Sequence, residues 1–217
     1  MSEGASSNET PWVFAAAVGL GLVAAQVGSI RATAGLDHAA AQTVASVLPL
    51  IGWLTIPAGV LLLAGPRLVR TAPSGIGWIV LIGCGLAMRL AWIGAVPPLE
   101  DDYFRYLWDG AVVARGLDPY AVAPQLVTDG AAPAAYLRLA AVPGAAPVLG
   151  GINFPDLRTI YPSVAQAAFA VAHVIAPFQV DGLRLIFLGA ELATLALMIA
   201  ILRDVGASPM WAALYWW

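Results

Sequence analysis

Residues 12–30 read WVFAAAVGLGLVAAQVGSI, a run without a charged side chain. An α-helix needs roughly 20 apolar residues to cross the hydrocarbon core of a bilayer. The run therefore predicts a membrane span and sets the class of the fold. Working outward, roughly Val44 to Gly65, Ile76 to Val96 (interrupted only by Arg89) and Leu185 to Leu202 (with Glu191 inside it) read the same way. Val164 to Phe178 is shorter and carries His173, so it counts as a span if it begins near Tyr161 or extends past Pro177. The composition agrees: 60% of the 217 residues are hydrophobic and 11% charged, and the mean hydropathy of +0.82 lies outside the soluble range.

The expected fold is all-α, a multi-pass transmembrane helical bundle with a long external loop carrying short interfacial amphipathic helices. Residues 1–11 read as an N-terminal tail, 12–96 as transmembrane helices one to three, 97–160 as the external loop, and 161–217 as helices four and five with an incomplete sixth. That sixth apolar run begins near Pro209 and is too short to cross by Trp217, so the chain reads as truncated, and a site completed by later helices would be missing from it. The leader MSEGASSNET holds Glu3 and Glu9 and no basic residue, which argues against a cleaved signal peptide. Cys84 excludes an intrachain disulfide and, inside the third span, does not suit a thiolate nucleophile. A net charge of −3 leaves no nucleic-acid footprint.

Arg67 and Arg70 follow the second span and Arg184 begins the fifth, so the positive-inside rule puts both loops in the cytoplasm, against Arg31 and Arg203 on the other side. The N-terminus is then cytoplasmic, and residues 97–160 face outward from a bacterial-type plasma membrane.

Within that loop, residues 100–120 read EDDYFRYLWDGAVVARGLDPY. On a helix turning about 100° per residue, Asp101, Arg105, Asp109 and Asp102 share one wedge, opposite Tyr103, Phe104, Leu107, Ala111 and Ala114. This is an amphipathic helix suited by its aromatics to the membrane interface. Asp101 or Asp102 can cap its start, and Gly116 can end it in the left-handed conformation. Ala134 to Val142 offers a second short interfacial helix, and Pro143 to Pro155 reads as Pro- and Gly-rich loop. No soluble domain is expected.

Two adjacent carboxylates beside Arg105 give a general base or metal ligand next to an anion-binding guanidinium, as group transfer from a phosphate-linked donor requires. The plainer reading is that the aspartates cap the helix while Arg105 pairs with Asp109 one turn on. A second block, INFPDLRTIYP at residues 152–162, brings Asn153, Asp156, Arg158 and Tyr161 to the same membrane face, as a second pocket wall or as a polar entry loop before a helix.

DDYFRYLWDG, then GLDPYAVAP, then INFPDLRTIYPSVAQAAF, in that order, resemble the membrane mannosyltransferases of the C-type glycosyltransferase superfamily, which use polyprenyl-phosphate sugar donors. The resemblance covers about Glu100 to Phe169 and extends more weakly through ELATLALM and ALYWW. Ser163 departs from it, standing where a second Pro commonly follows the Tyr-Pro pair. The resemblance implies that Asp101 or Asp102 is the base that deprotonates an acceptor hydroxyl. It implies inversion at the sugar, with polyprenyl phosphate leaving against Arg105 or Arg158. Asp109, Asn153 and Tyr161 join them as expected binding residues. No metal or cofactor is expected, although an aspartate pair could take a hard divalent cation. The expected partners are membrane lipid, the lipid-linked donor, and a glycan or glycolipid acceptor.

The rival is a transporter with Arg89, His173 and Glu191 along a polar path and the loop as a lid. A non-catalytic scaffold would leave the aligned Asp101, Asp102 and Arg105 without a purpose. Among the intramembrane residues, Arg89 can snorkel to the headgroups or approach a donor phosphate. Glu191 demands either a partner in another helix or a proton. His173 reads as a packing residue rather than a ligand.

Overall fold

The computed structural model describes residues 11–34, 36, 44–70, 75–98 and 100–217. The tail expected over 1–11 lies outside them except for Pro11. The described residues form helices joined by turns and irregular segments, with no strand among them. In chain order the helices are α1 (Pro11–Thr33), α2 (Val44–Arg70), α3 (Gly75–Leu90), α4 (Tyr103–Ala114), α5 (Pro124–Thr128), α6 (Ala134–Ala140), α7 (Ala145–Gly150), α8 (Ser163–Ile175), α9 (Val180–Asp204) and α10 (Trp211–Trp216). Among the described residues, three stretches are long and apolar enough to cross a membrane: Trp12–Thr33, Val47–Arg70 and Val180–Asp204.

The other two expected spans are shorter. Gly94, with φ +78°, and the turn around it close off the third at Leu90. The fourth, α8, has 13 residues, about 20 Å at the helical rise, against a hydrocarbon core of about 30 Å. Pro162 precedes it and Pro177 follows it, so neither extension that would have made it a span takes place.

The chain divides into two compact units, with the boundary inside α9 between Ala190 and Glu191. In the first unit α1 packs against α2 and α3, and α10 against α2 and α3. Leu68 is fully buried among Ala15, Ala64, Phe14 and Val18. The outward faces are apolar: Leu62 and Leu63 are 79% and 84% exposed, which suits lipid and not water. Glu191 has the partner its position demands, an ion pair with Arg89. Arg89 does not snorkel. It donates to the carbonyls of Gly85 (3.1 Å) and Trp216 (2.8 Å) and lies 3.9 Å from the Trp216 ring centroid.

The second unit, Val96–Ala190, has a hydrophobic core of its own, contrary to the expectation of a loop without a domain. Leu107, Trp108, Ala111 and Val112 of α4 meet Tyr136, Val148, Phe169, Ala172 and Leu183 there. The helix α4 is central, packed against α6, α7 and α8. It is therefore not a surface helix in the membrane interface: Arg105 and Asp109, assigned to its polar face, are 8% and 2% exposed. Its C-terminus follows expectation. Gly116 at φ +70° lets Leu117 N donate to Val112 O (3.0 Å) and Gly116 N to Val113 O (2.9 Å), satisfying the last carbonyls. A short helix forms at Ala134–Ala140 as expected, but Ala145–Gly150 is helical where irregular loop was expected. Val148 and Leu149 bury one face of that turn against the core.

Gly110 is the contact point of α4 and α8, since a Cβ there would strike the Phe169 carbonyl. Gly110→Ala should thus force the helices apart and cost about 1–3 kcal/mol, read as a lowered thermal midpoint in detergent. In the first unit, Arg89→Met and Glu191→Leu singly should each cost about 3 kcal/mol by stranding a shielded charge. The double variant should lose less than the sum of the two, measured as a double-mutant cycle.

Candidate functional site

The start of α4 is built from backbone and not from aspartate side chains. Asp102 occupies the N-cap in helical conformation and makes no side-chain capping bond. Phe104 N donates to Asp101 O (3.1 Å) and Arg105 N to Asp102 O (2.9 Å), while Glu100 Oε1 accepts from Asp102 N (2.9 Å). The expected aspartate cap does not form; Glu100, two residues before Asp102, instead accepts from the Asp102 amide. Carboxylate oxygens of Glu100, Asp101 and Asp102 lie within 4.8 Å of one another, with Glu100 and Asp102 exposed and Asp101 partly so. Such a cluster suits a base, and equally the hard oxygen donor set of a divalent cation.

Arg105 is spent elsewhere. Its Nη1 donates to Leu157 O (3.0 Å) and its Nη2 to Phe154 O (2.9 Å) and Asn153 O (3.4 Å). It therefore holds the segment 153–157 against α4 instead of pairing with Asp109 at i+4. Asp109 belongs to a separate buried triangle. Gln166 Nε2 donates to Asp109 Oδ2 (3.1 Å) and to Thr159 Oγ1 (3.0 Å), and the Thr159 hydroxyl is itself hydrogen-bonded to Asp109. Burial pushes the Asp109 carboxyl up, against the opposing pull of the Thr159 and Gln166 hydrogen bonds and the nearby Arg105 charge.

The aromatic residues join the two sequence blocks. Tyr106 meets Tyr161 edge-on with centroids 5.0 Å apart and stacks on Phe169 at 4.7 Å. Burial comes first in raising the Tyr106 phenol, then its hydrogen bond to Tyr161, then the charges of Asp102 and Glu100. Tyr106 consequently stays a protonated donor between the acidic cluster and Tyr161. The Tyr161 carbonyl accepts from the Tyr120 hydroxyl at 2.6 Å. Tyr103 likewise feels the charges of both Asp101 and Arg184. Asn153, Asp156 and Arg158 are exposed, and only the backbone of Asn153 serves the Arg105 clip.

Of the expected site residues, the structure thus gathers Asp102 and Tyr161 around Tyr106, buries Arg105 and Asp109 in framework roles, and leaves Arg158 exposed. Sequence reasoning passed over Tyr106, Tyr120, Thr159 and Gln166. Gln166 carried a readable signal as the lone polar side chain in the middle of the apolar α8. His173 packs edge-on against Phe178 at 4.7 Å, as a packing residue should, although its Nδ1 finds no protein partner.

No family model matches the chain, and no curated protein or solved structure matches it either.

Asp109 gives the second unit a pH signature. Its folded carboxyl holds a proton more tightly than the unfolded chain does, so its contribution to stability is complete below the ordinary aspartate value of about 4 and is lost as pH rises through the raised folded value. Asp109→Asn cannot ionise and still offers an acceptor to Gln166. The thermal midpoint of the wild type should therefore fall more steeply than that of the variant as pH is raised from acid to neutral, and equal slopes would exclude the effect.

Proposed function

We propose that the chain is an integral membrane glycosyltransferase that moves a hexose, in the first instance mannose, from a polyprenyl-phosphate donor to an external acceptor hydroxyl. The observation that carries this reading is the division among the charges of residues 100–109. Arg105 and Asp109 are consumed by the framework, whereas Asp102 stands exposed at the start of α4 and makes no side-chain capping bond, with the Asp101 carboxylate close by. The ordered resemblance of the blocks at 101–110, 116–124 and 152–169 supports the same conclusion.

In this reading Asp101 or Asp102 accepts the acceptor's hydroxyl proton as that oxygen attacks the anomeric carbon. The bond from the anomeric carbon to the phosphate oxygen breaks, its electron pair leaves with polyprenyl phosphate, and the centre inverts. The phosphate departs as a stable anion, so no general acid is needed. Arg158 replaces Arg105 as the cation that meets it, because the donors of Arg105 point to backbone carbonyls. Tyr106 and Tyr161 line the acceptor side as hydroxyl donors. The enzyme sits in a bacterial-type plasma membrane with its N-terminus cytoplasmic and residues 97–160 external. The three long apolar helices support the membrane placement, and the Arg67–Arg70 end of α2 is the basis for its cytoplasmic side.

Asp101→Asn and Asp102→Asn, assayed separately with radiolabelled polyprenyl-phosphate mannose in membranes holding the protein, should differ. The variant lacking the base should lose about 10²–10⁴-fold in transfer, and full transfer by both would sink the assignment. A chelator should leave the rate unchanged; a loss restored by divalent cation would instead give the carboxylates to a metal. Neither a transporter nor a scaffold forms a glycoside at all.

A further inference from the structure

Arg158 stands between two residues that α4 holds fast. On one side is Leu157, whose carbonyl accepts from Arg105 Nη1 (3.0 Å). On the other is buried Thr159, whose hydroxyl accepts from Gln166 Nε2 (3.0 Å) and is hydrogen-bonded to Asp109. Arg105 and Asp109 are four residues apart on α4, about one helical turn. Arg158 itself is exposed. On either side of it, the next residue along the chain is already tied to the same helix.

Apolar packing is not what fixes this stretch. Phe154, Leu157 and Ile160 are 72%, 55% and 87% exposed, so the side chains around Arg158 bring little to the core. Polar ties hold the backbone instead. Arg105 Nη2 reaches the carbonyls of Phe154 (2.9 Å) and Asn153 (3.4 Å), and Gln125 N donates to that of Pro155 (2.8 Å). Phe154 is kept at φ +49° directly before a proline, a conformation a bulky side chain adopts only where its surroundings impose it. The same helix carries the acidic start. Arg105 N donates to Asp102 O (2.9 Å), so Asp102 and the guanidinium that grips Leu157 are joined through one turn of backbone. Meeting three carbonyls from two nitrogens takes the planar fork of an arginine, and a lysine would bring the same charge on a single nitrogen.

We infer that Arg105 and Asp109 are positioning residues for Arg158, fixing the point from which it reaches toward an anionic phosphate in relation to the carboxylates at the start of α4. Resting on the transfer reading above, that phosphate belongs to the polyprenyl-phosphate donor. The Arg158 side chain keeps its own rotamers, and only its root is held.

The full chain is assayed in membranes with radiolabelled polyprenyl-phosphate mannose. Arg105→Lys keeps the charge and loses the fork, and Thr159→Val removes the second tie while filling the same space. Each should lose about 10- to 100-fold in transfer with Arg158 present. In an Arg158→Gln background neither should lose anything further, because no cation remains to be placed. Losses that multiply with that of Arg158→Gln would mark a merely structural role and overturn the inference, as would full transfer by Arg158→Gln or by both tie variants. A nitroxide on Arg158→Cys in the Cys84→Ala chain reads the ties without chemistry. Its spectrum should sharpen when Arg105→Lys or Thr159→Val is added, and a spectrum that neither changes overturns the positioning. A wild type that forms no glycoside sinks the enzymatic reading, and the phosphate with it, while the label still decides whether the ties hold position 158, so the two failures are distinguishable.

Discussion

The guanidinium of Arg105 is almost wholly out of solvent and is answered by backbone, donating to three carbonyls 48 to 52 residues away along the chain. Removing such a cation from water costs several kcal/mol unless its donors are met. The carbonyls of 153–157 have the converse need, because that segment has no helix or strand of its own to satisfy them. Each side supplies what the other lacks, so the irregular block is fixed as firmly as a secondary-structure element. The Asp109–Thr159–Gln166 triangle repeats the solution one turn along α4 and fastens it to α8. Two polar ties and the close approach at Gly110 therefore define the second unit, with the apolar core filling the space around them.

This arrangement explains which parts of the sequence were legible. The long spans were readable because bilayer thickness sets a length that composition alone can meet or miss. The end of α4 was readable because only a left-handed residue completes that turn, and Gly116 stands there. Glu191 announced a partner through the cost of an unpaired charge in an apolar helix. The wedge holding Arg105 and Asp109 was located correctly but assigned to the wrong environment. Periodicity reports that side chains share a face, not whether the face meets water, lipid or the carbonyls of a distant loop. The same limit hid α7, whose apolar residues have a purpose only once α4 is beside them. At 13 residues α8 is shorter than the expected span, and its composition alone does not separate an apolar helix packed on a protein core from one packed in lipid.

Burying Arg105 and Asp109 also clarifies the candidate chemistry. A site in which every charge is exposed offers many assignments of base and anion binder. Here the framework withdraws two of the charges, leaving the acidic start of α4 and Arg158 as the groups that can meet a substrate without dismantling the fold. Tyr106 connects them to the rest of the molecule: stacked on Phe169 of the core and bonded to Tyr161, it carries the rigidity of the interior to the edge of the acidic cluster. A general base gains most from being held still relative to its acceptor. A carboxylate at a helix start, with its backbone fixed by the first turn and its side chain released from capping, meets that requirement.

The pinned segment 153–157 depends on the same tie. The clip that buries Arg105 also fixes Phe154 and Leu157 outward, so one interaction satisfies a buried cation and shapes the exposed apolar edge.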